Sequence, residues 1–189
     1  MSFLRIAAVI SGALALVILS SCSHSRCHRD DGKKPEVIYA SAALVATKDS
    51  KVSGRVNFVE EFGKVKVTAD ISGLEPNTKH GFHIHEFGDC AAPDAASAGG
   101  HYNPENHNHG APDSENHHAG DLGNVTSDAK GNAHYTVEIT NVSLGGTHNP
   151  LVGRGVIIHK NQDDLTSQPV GAAGARVACG VIGASNKPT

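Results

Sequence analysis

The stretch that decides the fold is VSGRVNFVEEFGKVKVTADI at positions 52–71. Apolar and polar residues alternate on both sides of the turn at 61–63, with Val56 and Phe58 before it and Val65 after it. A period of two residues places one set of side chains in a core and the other in water, as in a β-strand. The stretch therefore predicts two β-strands joined by a tight turn.

The same alternation recurs along the rest of the chain, and turn-forming residues such as those at 75–77 separate the runs. No long segment has the 3.6-residue period of a helix. The pattern predicts an all-β domain, an antiparallel sandwich or flattened barrel of about eight strands. The predicted strands are 37–46, 52–60, 64–72, 80–87, 122–127, 133–140, 154–159 and 175–182.

Two segments interrupt the strand rhythm, residues 88–121 and residues 160–174. The first is rich in Gly, Pro, Asn, Asp and His, and a loop of this length in a small domain is usually functional or disordered. The chain has 13 histidines, and nine of them lie between His80 and His134. Metal ligation and a disulfide are the two interactions that we expect to order the long loop.

The N-terminal region predicts export. Residues 1–21 combine Arg5, a mostly apolar run and small residues before a cysteine, which is the pattern of a signal peptide. The tetrapeptide at 19–22 resembles a bacterial lipobox, so we expect lipidation of Cys22; an ordinary secretory signal is the alternative. The predicted organisation is a signal peptide at 1–21, a lipidated cysteine with a flexible linker at 22–35, and a folded domain at 36–189.

The linker is polar and without periodicity, as expected of a flexible tether. Its His24, Cys27 and His28 would suit a metal ion, although a solvated linker is the simpler interpretation. Export implies an oxidising compartment, in which we expect one disulfide. Cys90 and Cys179 lie in the ordered region and are the expected pair, and Cys27 is then a free thiol. The net charge of −3 gives no basic surface for nucleic acid.

Histidines at strand spacing point to a metal site. His83 and His85 lie two residues apart on a predicted strand, so their rings share one face. Three histidines and one carboxylate, a set that the long loop offers, suit tetrahedral zinc. A soluble histidine-rich loop is the alternative, but it leaves His159, at the end of an apolar strand, unexplained. The loop candidates are His101, His107, His109, His117, His118 and Asp121.

Four blocks of the chain resemble the signature blocks of the copper/zinc superoxide dismutase family. They are GFHIHEFGDC at 81–90, GGHYNP at 99–104, HHAGDLGNV at 117–125 and GARVACGVIG at 174–183. The resemblance extends in order over 37–184. It implies an eight-stranded antiparallel Greek-key flattened barrel, an immunoglobulin-like sandwich, with a long metal-binding loop. It also implies dismutation of superoxide to O2 and hydrogen peroxide by Cu(II)/Cu(I) cycling, as antioxidant defence outside the cytoplasm.

The resemblance also implies a ligand set, with one copper and one zinc ion per subunit. His101 matches the histidine that bridges both ions, and a bridge requires that both of its ring nitrogens be free of protons. His107 and His117 fall out of register, and we expect them to be exposed to solvent. The copper ligands would be His83, His85, His101 and His159. The zinc ligands would be His101, His109, His118 and Asp121.

Two further residues acquire roles from the same resemblance. Asp163 matches an aspartate that links ligands of both metals, although a surface acid is the alternative because Asp164 is adjacent. Arg176 matches the arginine that stands beside copper and attracts the anion, since a guanidinium stays charged. A bridge between Cys90 and Cys179 would hold the long loop next to Arg176.

The expected substrate is superoxide, and we expect no nucleic-acid partner. We expect the protein in the periplasm or cell envelope, in contact with a membrane only through its lipid anchor. We expect a homodimer, with a monomer as the alternative, and the mixture of bacterial and eukaryotic features leaves the pairing surface open. The segment 160–174 lacks a basic cluster, so the charges that steer the anion are not placed by sequence. A metal-buffering lipoprotein and a structural sandwich with inert histidines are the competing functions.

Overall fold

The computed structural model describes residues 38–188, and all of them but one three-residue 3-10 turn are strand, turn or loop. No helical structure in that range has the length and apolar character that crossing a bilayer requires. The strands are β1 (Ile38–Ala46), β2 (Ser53–Glu61), β3 (Lys64–Ser72), β4 (Lys79–His85), β5 (Asp121–Thr126), β6 (Ala133–Ile139), β7 (Gly155–His159), β8 (Arg176–Val181) and β9 (Gly183–Ala184).

The strands pair in the order β5-β4-β7-β8-β1-β2-β3-β6, and the short β9 pairs with β1. Every named pairing is antiparallel. The two end strands of this order, β5 and β6, also approach each other, so the sheet curls into a nearly closed barrel. The predicted all-β antiparallel barrel is therefore confirmed, with the two-residue strand β9 as an addition.

Alternation produces the core as the sequence predicts. In β3, Val65, Val67 and Ile71 are buried while Lys66 and Asp70 between them are exposed. Each apolar side chain removed from water contributes about 1.5–3 kcal/mol, which is what holds the strands together. The barrel thus has one continuous apolar interior.

Strand β4 departs from this pattern because both of its faces are buried from His80 onward. Phe82 and Ile84 belong to the barrel core. His83 and His85 occupy the alternate positions, so they lie on the opposite face, which the long loop covers. One strand therefore serves the core with one face and a polar site with the other.

The predicted end of β4 at residue 87 is wrong by two residues. The Glu86 amide donates to the Gly100 carbonyl, and the Phe87 amide donates to the Ala98 carbonyl, both at 3.0 Å. Glu86 and Phe87 thus begin the long loop at 86–120 and bond to residues 98–100 of that loop rather than to a neighbouring strand. The loop contains the only described helical turn, Ala96–Ala98.

Candidate metal centre

Three of the four predicted copper ligands stand on strands. His83 and His85 lie on β4, and His159 ends β7, the strand that pairs with β4. His101, on the long loop, forms an isolated bridge with His85. All four are buried, and each offers a ligand atom within 4.8 Å of the others. We refer to His83, His85, His101 and His159 as the strand group.

The predicted zinc ligands form a second cluster, built mostly by the loop. His101, His109 and His118 come from the loop and Asp121 from the first residue of β5. Their ligand atoms also lie within 4.8 Å of one another, and all four residues are buried. We refer to these four residues as the loop group, and His101 belongs to both groups.

The two nitrogens of His101 have different surroundings. Nδ1 lies 2.9 Å from Asp121 Oδ1 and 3.3 Å from His118 Nδ1, which places this edge of the ring in the loop group. Nε2, on the other edge, is buried and has no hydrogen-bond partner among residues 38–188. The ring therefore presents Nδ1 to the loop group and Nε2 to the strand group, which is the arrangement that a histidine shared by two ions requires.

Unpaired buried nitrogens test whether the site fits metal ions. Within residues 38–188, the only buried side-chain polar atoms without a hydrogen-bond partner are His83 Nδ1, His101 Nε2 and His109 Nδ1. A buried polar group left unpaired costs about 1–3 kcal/mol, so such atoms are rare in folded proteins. All three lie in the two groups, and imidazole is a ligand for both copper and zinc. The site therefore fits one ion of each kind.

The outer nitrogens of the strand-group rings are held by acceptors. His85 Nδ1 lies 3.0 Å from the Gly99 carbonyl, and His159 Nδ1 lies 3.0 Å from the Gly174 carbonyl. Each contact fixes the tautomer that leaves Nε2 free for a metal. His85 Nε2 and His159 Nε2 are 3.3 Å apart, so both nitrogens point to one spot.

Asp163 connects the two groups. One carboxylate oxygen lies 2.7 Å from His83 Nε2 and the other lies 2.9 Å from His109 Nε2. The side chain is fully buried, which excludes the alternative of a surface acid. Asp163 thus contacts one ring of each group on the nitrogen turned away from the metal position.

The protonation of the rings differs between the groups. Burial lowers the pKa of His159 to about 3 and that of His101 to about 4, so both rings are neutral at pH 7. Burial also lowers the pKa of His85. For His109, burial acts in the same direction, but the close contacts of its ring with the carboxylates of Asp121 and Asp163 outweigh burial and raise the pKa to about 9.

The two carboxyl groups are held in the ionised form. Burial alone would raise the pKa of Asp121, but its close contacts with His101, His109 and His118 lower the pKa well below the ordinary value. The pKa of Asp163 is lowered against its burial by the contacts with His109 and His83. Buried carboxylates among histidines create a negative centre that attracts cations.

Arg176 lies beside the strand group. Its guanidinium donates to the Gly99 carbonyl at 2.6 Å and to the Ala95 carbonyl. The Gly99 carbonyl also bonds His85 Nδ1, so one backbone oxygen joins the cation to a ring of the group. Strand pairing places Arg176 opposite His159.

A disulfide joins Cys90 of the loop to Cys179 of β8, with the two Cα atoms 5.8 Å apart. Cys179 is buried next to Ala95 and Ala98. The bridge anchors the segment that carries the two carbonyls bonded by Arg176. It therefore fixes the arginine as well as the loop.

Backbone contacts seat the loop on β4 between the two strand histidines. The Tyr102 amide donates to the Ile84 carbonyl, and the Ile84 amide donates to the Gly120 carbonyl, both at 2.8 Å. A Cβ atom at Gly120 would collide with the Ile84 carbonyl oxygen, so only glycine permits this approach. The loop is thus hydrogen-bonded to the strand at both ends of its metal-binding part.

Some expectations concern residues outside this centre. His107 and His117 are half-buried and belong to neither group; His107 Nδ1 contacts the His117 carbonyl and His117 Nδ1 contacts the Ser114 carbonyl. Both residues are therefore partly exposed to solvent and stand outside the two ligand groups. The N-terminal predictions, including those for Cys22, His24, Cys27 and His28, lie outside the described residues.

Two amide side chains had no role in the sequence interpretation. Asn124 exchanges two hydrogen bonds with the backbone of Asp163, at 2.8 and 2.9 Å. Gln168 does the same with the backbone of His109, at 2.9 Å each. No periodicity or spacing signals such contacts, because each joins segments that are far apart in the chain.

An antiparallel barrel that carries two metal-ligating groups with one shared histidine defines a class, the β-barrel proteins with a dinuclear metal centre. The sequence profile described as copper/zinc superoxide dismutase matches residues 52–182. The chain belongs to the copper/zinc superoxide dismutase family.

Relatives agree with this membership. A "Superoxide dismutase [Cu-Zn]" of Schizosaccharomyces pombe is 46% identical over 150 residues, which cover 75% of this chain and 96% of the relative. That of Yarrowia lipolytica is 47% identical over 150 residues, with the same coverage of 75% and 96%. That of Paramecium bursaria Chlorella virus 1 is 45% identical over 147 residues, covering 75% of this chain and 78% of the relative.

Proposed function

We propose that this protein converts two superoxide anions and two protons into O2 and hydrogen peroxide. The observation that carries the proposal is His101, whose Nδ1 lies in the loop group while its buried Nε2 remains for the strand group. Family membership agrees with this chemistry. The strand group would hold copper and the loop group would hold zinc.

Bound copper would supply the one-electron redox chemistry, alternating between Cu(II) and Cu(I) as one superoxide is oxidised and the next reduced. The chain's own contribution is position and protons. His101 Nε2 is the nitrogen that would hold a proton for the peroxide product, since Nδ1 is occupied on the side of Asp121. Burial lowers the pKa of His85 and of His159, so these two rings are neutral at pH 7 and bind metal without competing for that proton.

Arg176 would attract the anion and orient it. A cation beside a metal site raises the local concentration of an anionic substrate. Its two backbone acceptors hold the guanidinium next to His85, and the nearby disulfide holds those acceptors. Arg176 therefore acts on arrival of the substrate and not on retention of the metals.

The test is an assay of superoxide dismutation by protein loaded with one copper and one zinc, together with Arg176→Ala. We expect rapid turnover by the wild type, because the site is complete. We expect Arg176→Ala to retain both metals but to turn over roughly tenfold more slowly, with a weaker dependence on ionic strength.

Stoichiometric metal binding without turnover would contradict the proposal and would leave metal buffering as the function. Loss of copper from Arg176→Ala would contradict the role given to the arginine. Lys160→Ala is a matched control, since this exposed cation lies on the adjacent loop and has no assigned contact with the site. It should retain both metals and turn over within twofold of the wild-type rate.

For the assembly we propose a homodimer through an exposed apolar patch formed by Phe87, Val152 and Val181. Their exposed fractions are 57%, 39% and 44%. A Cβ atom at Gly88 would touch both Gly153 and Val181, so the three segments converge. Exposed apolar clusters commonly mark interaction sites. Sedimentation should give twice the monomer mass, and Phe87→Glu should give the monomer; a wild-type monomer contradicts the proposal.

For localisation we propose export and anchoring through a lipid on Cys22, in the periplasm or cell envelope. Residues 1–21 have the pattern of a signal peptide, and two or more acyl chains on one cysteine would anchor stably. The protein should take up labelled palmitate in a bacterial host and fractionate with membranes, whereas Cys22→Ser should do neither. Label-free, soluble wild-type protein would contradict the proposal.

A further inference from the structure

The backbone of His109 is held by one side chain from a different loop. The His109 amide donates to Gln168 Oε1 at 2.9 Å, and Gln168 Nε2 donates to the His109 carbonyl at 2.9 Å. Among residues 38–188, neither backbone group of His109 has another hydrogen-bond partner. Gln168 thus satisfies both, although the glutamine itself lies at the surface.

The other two loop-group histidines are tied to the barrel directly. His101 forms a bridge with His85 on β4. His118 donates its amide to Asp121 Oδ2 at 2.8 Å and accepts the Asp121 amide at 3.0 Å, next to β5. Near His109, the ring Nδ1 lies 3.0 Å from Asp121 Oδ1, and the following Gly110 amide donates to Asp121 Oδ2 at 3.2 Å. The backbone of His109 itself, however, bonds only to the segment at 160–174 among residues 38–188.

That segment holds the outer edge of the His109 ring as well. Asp163 Oδ1 lies 2.9 Å from His109 Nε2. Gly171, with φ at +65°, packs so closely that an added Cβ would collide with Asp163 and His109. The ring and the backbone are therefore both set by residues of one surface loop. The other ring nitrogen, His109 Nδ1, faces the loop group: it lies 3.0 Å from Asp121 Oδ1 without hydrogen-bond geometry.

We infer that Gln168 is a positioning residue for zinc, because its amide fixes the His109 backbone so that Nδ1 faces the loop group. The inference rests on the proposed zinc site and adds the residue that controls how firmly that site retains its ion. Removing a partner that orients a metal ligand typically costs 10–100-fold in metal affinity. The exposed location of Gln168 makes it replaceable without disturbing the barrel core.

The experiment compares Gln168→Met, which removes both hydrogen bonds at similar size, with Gln168→Glu, which keeps the acceptor for the His109 amide and removes the donor. Gln162→Met is the matched control, since Gln162 is exposed on the same loop and makes no side-chain hydrogen bond within the described residues. The measurements are the rate of zinc transfer to a chelator and the absorption spectrum with Co(II) at the zinc position.

We expect Gln168→Met to release zinc roughly 10–100-fold faster and to change the Co(II) spectrum, because His109 Nδ1 is no longer held in place. Gln168→Glu should restore part of the difference, and Gln162→Met should match the wild type. The melting temperature of the metal-free protein should be the same for all four proteins, which a merely structural role for Gln168 would not give.

Zinc release from Gln168→Met at the wild-type rate would overturn the inference. A fall in the melting temperature of its metal-free form would also overturn it, since the glutamine would then support the fold and not the ligand. If the wild type itself takes up no zinc or Co(II) at this position, the proposed function fails instead. The two failures are thus distinguishable without any measurement of dismutation.

Discussion

The strand group and the loop group share a histidine but are built in different ways. His83, His85 and His159 take their positions from the register of β4 and β7, which backbone hydrogen bonds fix. The three histidines of the loop group come from the loop at 86–120: a backbone bridge to β4 places His101, whereas side-chain contacts hold the backbones of His109 and His118. Strand register thus positions one half of the metal centre, and contacts made by the loop position the other half.

The two groups of ligands therefore differ in the interactions that stabilise them. Strand register is stabilised by the whole barrel core, so we expect His83, His85 and His159 to keep their positions whether or not a metal is bound. A long loop bears an entropic cost of ordering that its few apolar contacts do not offset. Zinc, the disulfide and the amide contacts of Asn124 and Gln168 are the interactions that offset it.

The largest effect expected from this comparison is that of removing zinc. At free zinc a thousandfold above the dissociation constant, binding to the folded state contributes about 4 kcal/mol, or roughly 10 °C in melting temperature for a domain of this size. Hydrogen exchange should show lost protection at 101–120 and unchanged protection in β4 and β7. Equal melting temperatures with and without a zinc chelator would contradict the loop-group half of the comparison.

An intermediate effect is expected from Asp163→Asn, which weakens the contacts to both His83 and His109. We expect zinc affinity to fall about 10–100-fold, because His109 depends on loop 160–174 for its position. Copper affinity should fall less, because β4 still holds His83. Calorimetric titration of the metal-free protein with each ion measures both values. An equal loss for the two metals would mean that strand register gives His83 no advantage.

The smallest expected effect is the pH dependence of zinc affinity, which follows from the different pKa values of the histidines in the two groups. The pKa of His109 is raised to about 9, so below pH 9 zinc must displace a proton from this ring. The apparent zinc affinity should therefore rise about tenfold per pH unit between pH 7 and 8.5 and level off above pH 9. His101 and His159, with pKa values of about 4 and 3, are already neutral in that range, so zinc binding to copper-free protein displaces no proton from an imidazolium ion on either ring.

Competition with a chelator of known affinity across this pH range is the measurement. Copper binding to the strand group of zinc-free protein, measured the same way, serves as the control and should show a smaller slope, because without zinc His101 keeps its second ring proton. A zinc slope of zero would show that His109 is already neutral in the metal-free protein, and the electrostatic difference between the groups would then be wrong.

Much of this architecture follows from sequence. The alternation at 52–71 predicts strands because a two-residue period can bury one face only in an extended chain. The ends of the eight predicted strands agree with the structure to within one residue, except the end of β4, which lies two residues earlier because residues 86 and 87 bond to the loop instead. The pair at His83 and His85 is readable for the same reason, since strand spacing alone places both rings on one face.

The contacts that complete the centre required the tertiary structure. Sequence indicated the set of metal-ligating residues, but not that His101 Nδ1 lies against Asp121 with Nε2 left unpaired, nor that Asn124 and Gln168 hold the backbones of Asp163 and His109. The alternation of apolar and polar residues predicts which side chains are buried, because in a strand every second side chain points to the core. Contacts between segments that are 39 and 59 residues apart have no period and arise only when the closed barrel brings two loops together.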